Sequence, residues 1–586
     1  MFDVILRGGE VIDGTGKKRF KSDVGIVDDR ITAIEDLSSS ESKSVIDTSG
    51  KVVCPGFVDV HTHLDAQVFW DGTLSPSPLH GVTTVVGGNC GFTIAPLSDD
   101  PEVGDYLMKM LSRVEGIPLE CLQEGVPWNW KSTSEYFDSM KGDLSINAGF
   151  KVGHSALRRV VMGTAATERE ATADELLAMQ ELLRLGLEAG GLGFSSSWSR
   201  THNDPFGNMV PSRYANRSEL IALCEVLSDF DGTSIEFIPA LGPFEQWAMD
   251  LMADMSVAAN SPLNWNVLNI NARTLDEGKK KLEAGDIAAS KGGKVIALTV
   301  PMTLGLHLNF LGGFVLDALP EWENFILKSR EEKMQILSDE DARRELDDFA
   351  QQDGPLRNVA HWGAKTIFHT KAPENEGYIG KTIYEISEEV GKSPWDTLVD
   401  IAIADELETS FGNPVDDEPD ADWEARVEVW RDSRAIIGAS DAGAHLDLFL
   451  SSNYTTYMLG EAVRKRALLE MEEAVHMLTE VPANLYGLVD RGAIKEGHYA
   501  DVIVIDENAI GSQPTSIVND LPLEAPRLFA GADGVEHVFC NGKEKSVAVN
   551  LQVVALVLFL NQVHIHQTLQ WFDFLISTFT LPLNSE

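Results

Sequence analysis

The chain has 586 residues, of which 44% are hydrophobic and 24% are charged, as in an ordinary globular protein. Its 91 acidic and 47 basic residues give a formal net charge of −44, which argues against nucleic acid and anionic membranes as partners because phosphates would be repelled. No stretch offers the roughly 18 unbroken apolar residues of a membrane helix. The N-terminus lacks signal-peptide character, and five scattered cysteines favour a reducing cytoplasm over a disulfide framework.

Both ends of the chain carry the pattern of short strands. Residues 1–52 alternate apolar runs with Gly and Asp turns, and residues 492–506 and 534–543 do the same. Between residues 53 and 485, strands alternate with helical patterns, which is typical of βαβ units in a parallel sheet or barrel. These patterns predict an α/β protein.

Residues 548–586 differ from the acidic chain before them because they are apolar and nearly uncharged. They could form a helical hairpin or a partner-binding tail, or they could be a gene-model artefact such as read-through into non-coding sequence. The composition favours the artefact.

A histidine pair ends the first strand of the central region. Side chains alternate along a strand, so His61 and His63 in PGFVDVHTHLD would point the same way from the strand end. Two imidazoles placed together can share a metal ion. The alternative is two unrelated surface histidines.

The stretch PGFVDVHTHLD resembles the first-strand signature of the metal-dependent amidohydrolase superfamily. From about residue 1 to about residue 545, the chain resembles its N-acyl-D-amino-acid deacylases (D-aminoacylases). The resemblance implies a (β/α)8 TIM-like barrel with metal ligands at the C-terminal strand ends, and a small β-sandwich made from both chain ends. We therefore expect residues 1–55 and 486–547 to form the two halves of the sandwich. Residues 56–485 would form the barrel with inserted loops and helices, and residues 548–586 the atypical tail.

Two further motifs match this family. Cys90 lies in GNCGFTIAP, where the resemblance implies a metal ligand; the alternative is a small buried hydrophobic residue. Asp441 follows the apolar run RAIIGAS, and the resemblance implies that it holds the nucleophilic water and shuttles its proton. The alternative for Asp441 is a helix N-cap.

The chain departs from the family on two middle strands, where a histidine is expected on each. The strand TSIEFIPAL carries Glu236 instead, and PLNWNVLNIN carries Asn264 and Asn266. A carboxylate can replace imidazole on zinc, whereas an amide is a poor substitute. Glu236 is therefore either a metal ligand or the ion-pair partner of an arginine such as Arg200 or Arg213. We expect one or two zinc ions, or another divalent metal.

A polar loop, SSSWSRTHNDPFGNMVPSR, occupies the place where the family binds substrate, and its many donors suit a carboxylate or an amide. A polar turn at residues 201–204 is the alternative there. The segment GHSALRR resembles a family segment that either binds substrate or braces the site. The expected substrate-binding residues are His154, Arg158, Ser196, Trp198, Arg200, His202, Asp204 and Arg213.

These motifs predict hydrolysis of a non-peptide C–N bond. The resemblance implies an N-acyl-D-amino acid as the small-molecule substrate, which is split into a carboxylate and a D-amino acid. A cyclic-amide hydrolase acting on a hydantoin or lactam needs the same site, and a catalytically silent scaffold of the same fold is a third possibility. The sequence does not fix the oligomeric state.

Overall fold

Parallel strands form the centre of the molecule in this computed structural model, which describes residues 1–142, 144–240, 242–312, 315–353, 357–414 and 418–545. A three-stranded sheet contains Phe57–Asp59, Val82–Gly87 and Asn147–Phe150. A six-stranded sheet continues in chain order with Val152–Gly153, Gly193–Ser197, Ser234–Ile238, Leu263–Leu268, Val295–Thr299 and Ala435–Ile437. Several strands are buried at every position, as expected where both faces of a parallel sheet are covered.

Main-chain hydrogen bonds join these two sheets at both of their edges. At one edge, Lys151 N donates to Gly87 O at 3.1 Å. At the other edge, Asp441 N donates to His61 O at 3.0 Å and His63 N donates to Ala442 O at 2.7 Å. The ends of the first and last parallel strands are therefore adjacent in space.

Helices connect the parallel strands, and the predicted α/β class is confirmed. Many helices begin at a capping side chain; Thr172 and Glu175, for example, form a capping box at one helix start. In the described part of the chain, no helix combines the length and apolar character needed to cross a bilayer. The helices are Pro101–Glu115, Leu119–Gly125, Thr133–Ser139, His154–Met162, Ala173–Glu188, Arg217–Leu227, Gln246–Ala259, Leu275–Ser290, Trp322–Ile326, Arg330–Ser338, Glu340–Ala350, Ile383–Val390, Pro394–Ala404, Asp420–Trp430, Tyr454–Met458, Met471–Leu478 and Glu480–Leu485.

The two ends of the chain meet in a pair of further sheets. One sheet has the order Arg30–Glu35, Asp23–Val27, Phe2–Arg7, Ser42–Asp47. The other has the order Lys543–Lys545, Val535–Cys540, Val502–Ile505, Val52–Pro55, Glu10–Val11, Phe20–Lys21. Side chains from both sheets share one apolar cluster, which includes Val24, Ile26, Val502 and Phe539. The predicted tail at 548–586 lies outside the described residues.

A long insertion separates Val295–Thr299 from Ala435–Ile437 and has a hydrophobic cluster of its own. Tryptophans 322, 362 and 395 pack there with other apolar side chains. The insertion includes the antiparallel pair Thr366–His369 and Ser410–Gly412. It contacts the segment after the last parallel strand, because Asn309 Nδ2 donates to Asp447 Oδ2 at 2.8 Å.

Candidate metal centre

The histidine pair lies at the end of Phe57–Asp59, where the adjacent strands fix its backbone. Thr62, between the two histidines, donates its N–H to Val86 O at 3.0 Å, while His61 and His63 are held from the opposite side by residues 441 and 442. Both imidazoles are buried, and their Nε2 atoms lie 3.7 Å and 3.9 Å from Cys90 Sγ. The predicted common direction of the two rings is what brings them to the thiol.

Cys90 sits in a turn that follows the strand Val82–Gly87. Its own φ is 56°, and the neighbouring Gly88 has a φ of 70°. A Cβ on Gly88 would lie 2.4 Å from Lys151 O, so this position requires glycine. Burial raises the pKa of the Cys90 thiol, and the nearby Glu236 carboxylate acts in the same direction. A bound cation has the opposite effect and deprotonates a coordinating thiol.

Asp441 faces the histidines from the end of the last parallel strand. Its Oδ1 atom lies 3.0 Å from His61 Nε2 and 3.3 Å from His63 Nε2. Burial alone would raise the pKa of this carboxyl, but the two histidines hold it well below its usual range. Within residues 418–545, the helix that follows Asp441 begins at Tyr454. The N-cap alternative for Asp441 is therefore wrong.

The donor set of this cluster suits a zinc ion. Within the described residues, His61, His63 and Cys90 offer ligand atoms that all lie within 4.8 Å of one another. The Nε2 atoms of His61 and His63 lie 3.7 and 3.9 Å from Cys90 Sγ, and 3.0 and 3.3 Å from Asp441 Oδ1. Donors placed tetrahedrally at about 2.0–2.3 Å from zinc are about 3.3–3.8 Å apart, so two imidazoles and a thiolate suit three positions and leave the fourth for water.

Glu236 lies beside this cluster and accepts hydrogen bonds through both carboxylate oxygens. Cys90 N donates to Oε2 at 2.6 Å, and the Asn266 side-chain amide donates to Oε1. The predicted arginine partners are not its counter-charge: Arg213 donates to carbonyl oxygens of its own loop, at Arg200 and His202. The arginine alternative for Glu236 is therefore wrong, because the Arg213 guanidinium is used in hydrogen bonds within its own loop.

Lys151 supplies the buried positive charge near Glu236. Its side chain is 2% exposed, and its Nζ donates to Asn89 Oδ1 at 2.9 Å. Burial lowers the pKa of Lys151 to about 8, while Glu236 and Cys90 act to raise it. Burial raises the pKa of Glu236, and His61 and Lys151 act to lower it. Lys151 is the single residue between Asn147–Phe150, in the three-stranded sheet, and Val152–Gly153, in the six-stranded sheet.

Glu115 is a site residue that the sequence prediction missed. It ends the helix Pro101–Glu115, is 2% exposed, and places Oε1 3.3 Å from His63 Nδ1. Burial raises the pKa of Glu115 to about 8, against the lowering effect of His63. The available signal was its spacing, because Glu115 follows Leu107 and Leu111 at intervals of four residues on the apolar face of the helix.

His202, one of the predicted substrate-binding residues, is buried beside Ser197 and Phe92. Burial lowers the pKa of His202 to about 3, and the histidines 445 and 63 contribute. Its Nδ1 lies 2.8 Å from Ser197 Oγ, and its ring packs edge-on against Phe92. Arg200 is exposed to solvent.

Other residues of the predicted loop support its own fold. Trp198 Nε1 donates to Ser212 O at 3.0 Å. Asp204 Oδ1 accepts the backbone N–H groups of Phe206 at 2.9 Å and Asn208 at 2.8 Å, which braces the turn. These contacts favour the polar-turn alternative for residues 201–204.

His154, Arg158 and Ser196 form a buried network with a glutamate that the sequence analysis did not single out. His154 lies 2.8 Å from Ser196 Oγ through Nδ1 and 2.8 Å from Glu219 Oε1 through Nε2. Arg158 Nη1 donates to both Glu219 oxygens, at 2.5 and 2.6 Å. His154 and Arg158 are both 0% exposed, so these contacts match the bracing alternative.

Known proteins are similar to this chain over most of its length. The sequence profile of the Amidohydrolase family matches residues 44–544. A D-aminoacylase of Alcaligenes xylosoxydans xylosoxydans is 27% identical over 92% of this chain and 94% of that protein, and an N-acyl-D-glutamate deacylase of the same organism is 26% identical over 92% and 93%. A D-aminoacylase structure solved to examine its binuclear metal centre has a TM-score of 0.62 at 26% identity, covering 93% of this chain and 96% of that one.

Proposed function

Because this chain belongs to the amidohydrolase family, we propose that it is a metal-dependent hydrolase that splits N-acyl-D-amino acids into a carboxylate and a D-amino acid. The cluster of His61, His63 and Cys90, with Asp441 beside it, carries this proposal, since its three donor atoms suit one zinc ion and leave a position for water. Relatives named for D-aminoacylase and N-acyl-D-glutamate deacylase activity support the substrate class. Another divalent metal would serve the same role.

The chemistry follows from the charge states of the protein groups. His61, His63 and Cys90 would hold a divalent ion, which would polarise the amide carbonyl and acidify the attacking water. His61 and His63 hold the pKa of Asp441 well below its usual range. With a divalent ion bound by the same histidines, the charge of the ion would keep Asp441 ionised, so that it could accept the proton of the water. Its side chain is 31% exposed, and it can return that proton to the departing nitrogen of the substrate. His202, on the neighbouring loop with Ser197, is proposed as a substrate-binding residue.

We also propose that the parallel strands close into a (β/α)8 barrel and that the two terminal sheets form a β-sandwich. Hydrogen bonds at both edges of the central sheets support the closure, and the shared apolar cluster supports the sandwich. Active sites of such barrels lie at the C-terminal strand ends, where His61, Cys90 and Asp441 are found. All five cysteines are buried and free, which supports the cytoplasmic location.

A substrate panel tests the proposed activity. Purified protein reconstituted with zinc would be assayed against N-acetyl-D-amino acids, their L-enantiomers and hydantoins, with metal content measured on the same sample. We expect the D-substrates to be turned over at least about a hundredfold faster than their L-enantiomers. A site that hydrogen-bonds the D-enantiomer leaves some of its polar groups unpaired when the L-enantiomer binds. Preferred turnover of hydantoins would establish the cyclic-amide alternative. No turnover by folded, zinc-loaded protein would favour the silent scaffold.

A further inference from the structure

We propose that this chain binds a single metal ion and that a hydrogen-bonded chain ending at Glu236, together with the Lys151 ammonium group, fills the second metal position. The inference rests on the proposed metal-dependent hydrolase and concerns how many ions its site holds. The D-aminoacylase compared above has a binuclear metal centre. In this chain, Glu236 on Ser234–Ile238 accepts a hydrogen bond from Cys90 N, and Asn266 on Leu263–Leu268 donates to Glu236, so a second ion beside Cys90 would meet these side chains.

The residues at those strand ends already satisfy one another. Tyr486 donates its hydroxyl to Asn264 Oδ1 at 2.6 Å, and Asn264 Nδ2 donates to Asn266 Oδ1 at 2.8 Å. Asn266 then donates its amide to Glu236 Oε1, and Cys90 N donates to Glu236 Oε2. Asn264, Asn266 and Glu236 are at most 5% exposed.

The direction of this chain is fixed by the carboxylate at its end. Both Glu236 oxygens accept hydrogen bonds, from Cys90 N and from the Asn266 side chain, so the NH₂ group of Asn266 faces Glu236. The oxygen of Asn266 must then face Asn264, and the oxygen of Asn264 must face the Tyr486 hydroxyl. Reversing either amide would place two acceptors or two donors in contact. Both amide oxygens therefore already accept a hydrogen bond from a protein donor.

Lys151 supplies positive charge within the same buried region. Its ammonium interacts electrostatically with Glu236, Cys90 and Asp65, and it lies 4.9 Å from the centre of the Tyr486 ring. A buried carboxylate needs a counter-charge, which a second metal ion would supply in a binuclear site. Here the lysine provides that charge, and it would repel an ion entering beside it.

Metal titration of the full-length protein tests this inference. Metal-free protein would be incubated with excess zinc, desalted and measured by elemental analysis, and the zinc environment would be examined by X-ray absorption. We expect one zinc per chain and no metal–metal scattering at the roughly 3.5–4 Å of two-metal sites. Two zinc ions per chain with such scattering would overturn the inference and leave the hydrolase proposal intact. A chain that binds no zinc would instead overturn the metal centre itself.

The variant Lys151→Met tests the part assigned to the lysine. Methionine keeps much of the side-chain volume and removes the charge. We expect the folded variant to take up a second zinc equivalent, because Glu236 and Cys90 then lack their resident cation. A folded variant that still binds one zinc would refute the role of Lys151. If this variant does not fold, the number of zinc ions bound per wild-type chain still tests the single-ion inference.

Discussion

The Sγ atom of Cys90 lies 3.7 Å from Nε2 of His61, although 29 residues separate the two in sequence. Each follows its own parallel strand, and these strands are hydrogen-bonded neighbours. Because burial raises the pKa of the Cys90 thiol, the apo site favours a protonated cysteine. Metal binding must then release that proton, which couples metal affinity to pH.

Replacing Cys90 with alanine should weaken zinc binding by at least about a hundredfold, since loss of mere outer-shell partners already costs about 10–100-fold. A competing chromophoric chelator would measure the affinity. The matched control is Cys224→Ala, which removes an equally buried thiol from the helix Arg217–Leu227. Equal zinc affinities for the two variants would show that Cys90 is only a core residue.

Replacing Asp441 with asparagine should leave the fold intact and reduce kcat/KM for amide hydrolysis by about 10²–10⁴-fold. Asparagine tolerates the left-handed φ of 54° at this position, so the backbone should not change. Its amide, however, cannot accept and return a proton at neutral pH. Steady-state kinetics and elemental analysis on the same preparation check this. Wild-type turnover by a folded, metal-loaded variant would exclude Asp441 as the base.

Most of the metal cluster could be predicted from local motifs, because strand periodicity and a glycine-requiring turn both depend on residues adjacent in sequence. His61, His63 and Cys90 were predictable on that basis. The positive charge near Glu236 was not, because the pairing of the strands between them is what places Lys151 in the same buried region. Arg158 likewise looked available for substrate until burial and Glu219 were known. The predicted domain boundaries stay predictions.

Replacing Glu115 with glutamine should lower zinc affinity by about 10–100-fold, the usual cost of losing a partner behind a ligating histidine. Glu115 lies 3.3 Å from Nδ1 of His63, so its carboxylate can orient that ring and raise its basicity. Isothermal titration with zinc would measure the loss. The Glu115→Gln variant should also release fewer protons when it binds zinc, which the loss of a merely structural residue would not cause.

The control for Glu115 is Glu102→Gln, at the exposed start of the same helix. It makes the same substitution far from the histidines and should keep wild-type zinc affinity. If both variants bind zinc like the wild type, Glu115 does not act on His63.

The buried network around Glu219 should make stability depend on pH in a defined direction. Burial alone would raise the pKa of Glu219, but His154 and Arg158 lower it from 4.5 to about 2. A carboxyl with a lowered folded-state pKa stabilises the protein fully above its unfolded pKa, and this contribution is lost as the pH falls from about 4.5 towards about 2. The difference corresponds to about 3 kcal/mol at neutral pH.

Glu219→Gln should therefore lower the free energy of unfolding most strongly at neutral pH, by about 3–5 kcal/mol, because it also leaves Arg158 buried without its charge partner. Between about pH 6 and pH 3.5, the gap between wild type and variant should shrink by about 1 kcal/mol, since the unfolded wild-type carboxyl becomes protonated over that range. Denaturant unfolding at both pH values measures the gap. The control is Glu225→Gln, an exposed residue of the same helix. A gap that is constant or widens in acid would show that Glu219 is not held ionised by His154 and Arg158.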